Sequence, residues 1–406
     1  MPAQQIPKTL NTLPENPSRR QLLLGSAGAM AAVSLLGFTP LARADAPSSL
    51  PDYAAWKEQN ALIIHSANTM ETKRGAIGSG VITPSDRLFI RNNLPQPSES
   101  YVADRDAWEV TFEGVNNPRT LTLGELKEMG VVSTASVLQC SGNGRAFFPH
   151  GAGGSQWSVG AAGCVMWTGV PVKTVIEALG GMKSGVKYVT STGGEMLPDG
   201  LDPKKVMIER SVPTRALEGA MLAWSMNDED LPLTHGGPLR MVVPGFYGVN
   251  NVKYVKKVAL TENQTDAKIQ ATSYRIREVG KKGDPDQPSM WEMNVKSWVT
   301  APLETAKSGR VMIYGVAFGG AKSVKQVEVS VDGGNSWKMA RFLGPDLGPY
   351  AWRPFVMAAD LSAGEFRIVS RATDVDGEIQ PKGRIDNERG YGHNGWDDHG
   401  VTVQVG

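Results

Sequence analysis

Apolar and β-branched residues crowd the stretch Val131, Val132, Thr134, Val137 and Leu138, and the run halts at Ser141, Gly142, Asn143 and Gly144. This predicts a buried strand that breaks into a tight loop, with Cys140 at the break. Alternation over Trp108 to Val115 predicts a strand. Leu121 to Met129, behind the capping residues Thr120 and Thr122, predicts a short helix. Val170 to Leu179 has an amphipathic helical spacing closed by Gly180 and Gly181. Ser211 to Met226 carries a longer helical pattern, and Leu239 to Val243 a buried strand ending at Pro244-Gly245. Leu88 to Leu94 is strand-like up to a turn before Pro95. Ahead of it, residues 45 to 84 form a mixed, mobile-looking approach, broken by Gly75, Gly78 and Gly80. Short strands and helices in irregular order make this first body α+β.

The pattern changes near residues 280 to 300, where Gly280-Lys281-Lys282-Gly283-Asp284-Pro285-Asp286 reads as a linker. Beyond it Arg310 to Val316, Lys325 to Val331, Phe366 to Thr373 and Val401 to Val405 alternate as strands. Asp332-Gly333-Gly334 and Asp376-Gly377 are hairpin turns. About a hundred residues of this kind suggest an all-β, immunoglobulin-like sandwich over residues 291–406.

The first residues bear on location. Ser18-Arg19-Arg20-Gln21-Leu22-Leu23-Leu24 leads into a short Gly/Ala-rich apolar segment and then Ala42-Arg43-Ala44, a small-x-small cleavage pattern. Residues 1–44 thus read as a twin-arginine export signal to the bacterial periplasm, with no stable membrane insertion expected after processing. Removing them takes away Lys8, Arg19, Arg20, Arg43 and Glu15 and turns a net charge of +1 into −2. There is no basic footprint for nucleic acid. Hydrophobic residues at 41% and charged residues at 20% describe an ordinary globular chain rather than a disordered one.

Two cysteines, Cys140 and Cys164, could pair in an oxidising compartment. Unpaired, Cys140 is either a stabilised thiolate facing an anion, with glycine backbone and the Arg145 charge close by, or a small buried hydrophobe; Cys164, among small apolar neighbours, reads as core. A C-x-x-C-H haem motif is lacking.

Five motifs stand in order along the chain: Phe89 to Pro95, Cys140 to Arg145, His235 to Arg240, Asn251-Val252-Lys253 and Trp352-Arg353. With them, residues 85 to 406 resemble the sulfite oxidase family of molybdenum enzymes, and most closely its haem-free periplasmic sulfite dehydrogenases. The resemblance implies a molybdopterin-binding domain over 85–290, followed by the dimerisation domain. It makes Cys140 the protein ligand of molybdenum, which would exclude a bridge to Cys164. It puts Phe89, Arg91, Asn92, Asn93, Glu195, His235, Arg240, Asn251 and Lys253 against the pterin and its phosphate. It gives Arg91, Arg145 and Arg353 to the sulfite oxyanion, with Trp157 as an apolar wall and Tyr274 as a neutral donor, and so a site at the domain junction. Many relatives have histidine where this chain has Asn93, which cannot carry charge. The expected activity is oxidation of sulfite to sulfate by a homodimer that passes electrons to a separate c-type cytochrome.

Sulfane dehydrogenase and sulfoxide reductase are alternatives within the same fold. A cysteine nucleophile served by His150 or His235, and a non-enzymatic binding protein, are alternatives outside it. His393, Asp397, Asp398 and His399 read as a solvated tail rather than a metal site.

Overall fold

In the computed structural model, residues 49–406 are described; the export signal expected over 1–44 lies outside them. The N-terminal segment is not a loose approach. Leu62–Ser66 (β1) and Thr69–Thr72 (β2) form an antiparallel hairpin, and Ile90–Arg91 (β3) adds to β2. Leu62, Met70 and Ile90 bury a small core of their own. The hairpin faces the body through Glu71, whose carboxylate accepts from the backbone of Ser158 and Gly160.

Two five-stranded sheets make the first body. One holds Glu109–Glu113 (β4), Arg119–Thr122 (β5), Tyr188–Gly193 (β8), Glu209–Pro213 (β9) and Val255–Thr261 (β13) in the order β5-β4-β13-β8-β9. The other holds Val132–Gln139 (β6), Ala162–Pro171 (β7), Met221–Met226 (β10), Glu229–Asp230 (β11) and Arg240–Val242 (β12), with β7 between β6 and β10. The helices are few and short. Leu123–Lys127 (α1) starts at Thr122 in a full capping box with Glu125, as the cap residues predict. Val172–Ala178 (α2) follows β7 directly and is closed by Gly180 and Gly181, both in the left-handed region.

The helix expected over Ser211 to Met226 is absent. Pro213 ends β9, Thr214–Glu218 makes a 3-10 turn, and Met221 to Met226 extend to pair with β7 on one side and β12 on the other. A central strand offers these apolar residues partners on both edges, and that outweighs helical spacing.

Residues 296–405 form two packed sheets. One orders Lys296–Ala301 (β14), Gly309–Phe318 (β16), Arg353–Leu361 (β20) and Arg341–Phe342 (β19). The other orders Thr305–Ala306 (β15), Val401–Val405 (β22), Gly364–Asp374 (β21), Val324–Ser330 (β17) and Lys338–Met339 (β18). Val299, Ile313, Phe355, Ile368 and Val403 fill the space between them. The expected strands are present, and Lys296–Ala301 (β14) adds one more beyond the segment that reads as linker. No helix among the described residues is long and apolar enough to cross a membrane.

Candidate active site

Cys140 leaves the end of β6 and is immediately pinned. Its N–H donates to Ala161 O (2.9 Å), and its carbonyl accepts from Asn143 N (3.0 Å). Asn143 closes the loop with its side chain, accepting from Ala161 N and donating to Gln139 Oε1 (both 3.0 Å). The thiol is free and only 8% exposed, and it faces a cleft. Cys164 is also free: it pairs with Val137 across β6 and β7 and sits in a different core cluster. Burial pushes its thiol up to about 12. The sequence left a disulfide open, and the structure does not form it.

Phe89, Arg91, Asn92, Asn93, Glu195, His235, Arg240, Asn251, Lys253 and Tyr274 line the same cleft as Cys140. They come from around β3, the loop after β8, the turn into β12, the loop before β13 and, for Tyr274, the segment after β13, so the residues that the resemblance puts at the pterin line one cleft. Their electrostatics are unusual. Arg91 donates to the Asn92 carbonyl, Arg240 to His235 O (2.7 Å) and Asn251 O (3.1 Å), and Lys253 to Asn92 Oδ1 and to Thr234 O (2.7 Å). None of the ion pairs among the described residues involves Arg91, Arg240 or Lys253. Burial, with Arg240 close by, holds the Lys253 amine well below its usual range. Burial also pushes the Glu195 carboxyl up to about 8, so it is an acid rather than a counter-ion at neutral pH. Such a cleft calls for an anion.

Asn251 has a different job from the one expected. Its amide accepts from Val243 N (2.8 Å) and donates to Phe246 O and Tyr247 O, so it braces the loop after β12 rather than keeping a free donor. Gly236 lets that region close: at φ +102° it lies where a Cβ would meet the Lys253 side chain at 2.6 Å.

Of the residues expected at the oxyanion, Arg91 and Tyr274 line the cleft. Tyr274 follows a π-helical turn, Ile269–Ser273, and stacks on Tyr391 at 5.1 Å. Burial raises its phenol, while Arg91 and Arg145 act against that rise. Arg145 folds back under the Cys140 loop. Its Nε donates to Arg389 O and its Nη1 to Ser155 O (both 2.9 Å), and a Cβ on Gly142 would lie 2.3 Å from its Nη2. Trp157 does not wall the cleft. It is fully buried behind Cys140, edge-on to His65 and Phe89.

Arg353 is the clear correction. It starts β20, pairs with Asp346 (2.7 Å), lies over the Phe342 ring and does not reach the cleft. The second body still reaches the site through residues 389–392. Arg389 gives its carbonyl to Arg145 and its charge to Tyr274 and Tyr391, and Gly392 N donates to Ser141 O (2.9 Å). Sequence reasoning missed Arg389, Tyr391 and Ser141; an arginine inside the glycine-rich run Asn387 to Gly395 is the one signal that pointed there.

Behind the loop, His393 and His399 are buried at 3% and 1% exposure. They are not a solvated tail. His393 Nε2 lies 2.9 Å from Asp398, and the two imidazoles are 4.8 Å apart. No group of metal-ligating side chains forms among the described residues. Neither His150 nor His235 hydrogen-bonds Cys140: His150 is exposed, and His235 Nε2 is engaged by Lys57 at 2.6 Å. The cysteine-nucleophile alternative therefore lacks its base.

Residues 96–269 match the family model described as the oxidoreductase molybdopterin binding domain, and residues 287–405 the Mo-co oxidoreductase dimerisation domain. Together they cover most of the chain and define a molybdopterin oxidoreductase. The mitochondrial sulfite oxidase of Macaca fascicularis is 32% identical over 80% of this chain and 62% of its own length. The sulfite oxidase of Arabidopsis thaliana is 27% identical over 83% of this chain and 91% of its own. The crystal structure of the sulfane dehydrogenase SoxCD from Paracoccus pantotrophus superposes with a TM-score of 0.70 at 25% identity, covering 91% of this chain and 95% of that one. The chain belongs to the sulfite oxidase family. It spans about three fifths of the length of the animal relatives it matches.

The residues present fit a molybdopterin. Ser141 Oγ, Asn92 Nδ2 and Glu195 Oε2 are buried polar atoms without a partner among the described residues, and all three belong to cleft-lining residues. Orphaned groups of this kind are costly unless a ligand satisfies them. Unpaired cations suit a phosphate, and a thiol at the cleft wall suits a soft metal.

Proposed function

We propose that this protein is a molybdenum-dependent sulfite dehydrogenase. The observation that carries the reading is the free Cys140 thiol in a cleft whose cations have no carboxylate partner. Cys140 would hold the metal, and Arg240, Lys253 and His235 the phosphate side of the cofactor. Glu195, Asn92 and Ser141 would supply hydrogen bonds to it. When bound, the cofactor supplies oxygen-atom transfer and takes up two electrons, so that sulfite and water become sulfate, two protons and two electrons.

The protein's part is to bind and orient the anion. Arg91 and Arg145 bring positive charge to the side of Cys140 and Arg389 brings its own to Tyr274 and Tyr391, and several guanidinium groups can hold a sulfur oxyanion where one exposed arginine would lose to water. Tyr274, kept neutral by burial, presents a hydroxyl as donor. Asn93 lines the cleft without a charge of its own, so Arg91 and Tyr274 hold the pocket without help from that position. In this reading the C-terminal sandwich is an immunoglobulin-like dimerisation module. The reading also puts the enzyme in the periplasm, exported through its twin-arginine segment, with a small c-type cytochrome accepting the electrons one at a time.

The test is molybdenum content with sulfite-dependent reduction of a dye, in the wild type and in Cys140→Ser. One molybdenum per chain and activity lost in the variant support the reading; a metal-free wild type refutes it. The near full-length superposition on a sulfane dehydrogenase favours a second reading, oxidation of a sulfane sulfur. A wild type that reduces the dye with a persulfide and not with sulfite would select it.

A further inference from the structure

Lys57 lies ahead of the segment matched by the family models, yet it is only 5% exposed and reaches the wall of the cleft. Its Nζ is 2.5 Å from Ser85 O, 2.8 Å from Leu88 O and 2.6 Å from His235 Nε2. An ammonium group has three protons and no lone pair, so these three acceptors saturate it. With the amine charged, the nitrogen facing it is the bare one of a neutral imidazole, and the ring proton sits on Nδ1.

That nitrogen has no hydrogen-bond partner within the protein among the described residues, while His235 lines the cleft. A second proton on the ring is opposed first by burial and then by Lys57, Lys253 and Arg240. The other arrangement, a neutral amine accepting from Nε2–H, would turn a lone pair of Nδ1, an acceptor, towards a cleft whose cations call for an anion. Burial holds the Lys57 amine well below its usual range and Asp86 opposes that; what favours the charged form is the geometry, two carbonyl acceptors and the indole of Trp56 at 4.4 Å from Nζ.

We propose that Lys57 is a positioning residue that locks His235 as an Nδ1–H donor towards an acceptor atom of the cofactor. The segment before β1 thus helps to hold the molybdopterin without touching it. This inference rests on the cleft being the cofactor site, but its central measurement does not need the enzyme to turn over.

Nitrogen-15 spectra of the purified, histidine-labelled protein read the tautomer directly. His65 and His393 face the carboxylates of Glu71 and Asp398 through Nε2 and must carry a proton there. His235, identified by the signal lost in His235→Gln, should instead show a protonated Nδ1 and a bare Nε2 that stay so from about pH 6 to 8. A proton on Nε2 of His235 overturns the proposal. In Lys57→Met the ring should lose its fixed tautomer, and molybdenum should leave the protein about tenfold faster on dialysis, the loss expected for a hydrogen bond made through a charged group. A variant with wild-type nitrogen shifts would also overturn it, and if Lys57→Met does not fold, the wild-type spectrum decides alone. A wild type free of molybdenum with the expected shifts would defeat the proposed function while leaving the Lys57 lock in place.

Discussion

The buried imidazoles behind the Cys140 loop make the stability of this protein sensitive to acid, by an amount that follows from one residue. His393 is held from 6.5 down to about 4, chiefly by burial, with the Lys296 amine adding to the shift and its bond to Asp398 opposing it. Arg384 and His399 also face the ring, and Phe147 and Phe148 pack on it. Between those two values the unfolded chain binds a proton that the native ring refuses, so stability is full above 6.5 and is lost as the pH falls towards 4. Going from about pH 7.5 to about pH 5 traverses most of that window and costs about 2 kcal/mol at ~1.36 kcal/mol per unit. The perturbation is His393→Gln, which keeps a polar side chain next to Asp398 and removes the titration. Urea unfolding at the two pH values gives the wild type and variant changes. The variant's loss should be smaller by about 2 kcal/mol, and the protein should release the same molybdenum in both cases. Parallel losses in the two proteins would refute the assignment, since the remaining carboxylates are common to both.

Glu195, raised to about 8, binds its proton in the native state over a range in which the unfolded carboxyl has lost it. Its contribution is therefore largest below 4.5 and falls as the pH rises through 8; between about pH 6 and 8 the wild type should lose about 2 kcal/mol more than Glu195→Gln in urea unfolding. Gly142→Ala puts a methyl group where Arg145 Nη2 lies 2.3 Å away, so the guanidinium must move; the sulfite KM should rise about tenfold, the scale of one charge-assisted hydrogen bond, with molybdenum content unchanged by metal analysis. Arg389→Ala should raise the same KM at least as much. Arg353→Ala, which removes an ion pair to an exposed aspartate, should leave KM within about twofold and stability within about 1 kcal/mol, as calorimetry and steady-state kinetics would show.

The contrast between Arg353 and Arg389 shows what in this site was legible along the chain. The Cys140 loop is written locally. A β-branched run, a break of Ser, Gly, Asn and Gly, and the short reach of Asn143 back to Gln139 all lie within a few residues, and local pattern finds such features. The same holds for the capping box at Thr122 and the glycine stops after α2. The approach of Arg389 to this region is not local. It depends on a bond between residues 244 apart in sequence, Arg145 Nε to the Arg389 carbonyl, and on the fold of the second body. Trp352-Arg353 has the look of a motif, but β20 buries the tryptophan and turns the arginine out to Asp346. Lys57 is harder still, because a lysine after a tryptophan in an N-terminal segment has no pattern that separates a solvated charge from a saturated one. Only closure of the hairpin onto β3 and the turn before β12 brings its three acceptors together. The helical spacing of Ser211 to Met226 fails for the same reason: partners supplied by β7 and β12, remote in sequence, decide the conformation. Residues whose role is set by their immediate neighbours can be read from the chain; those whose role is set by what folds against them need the fold.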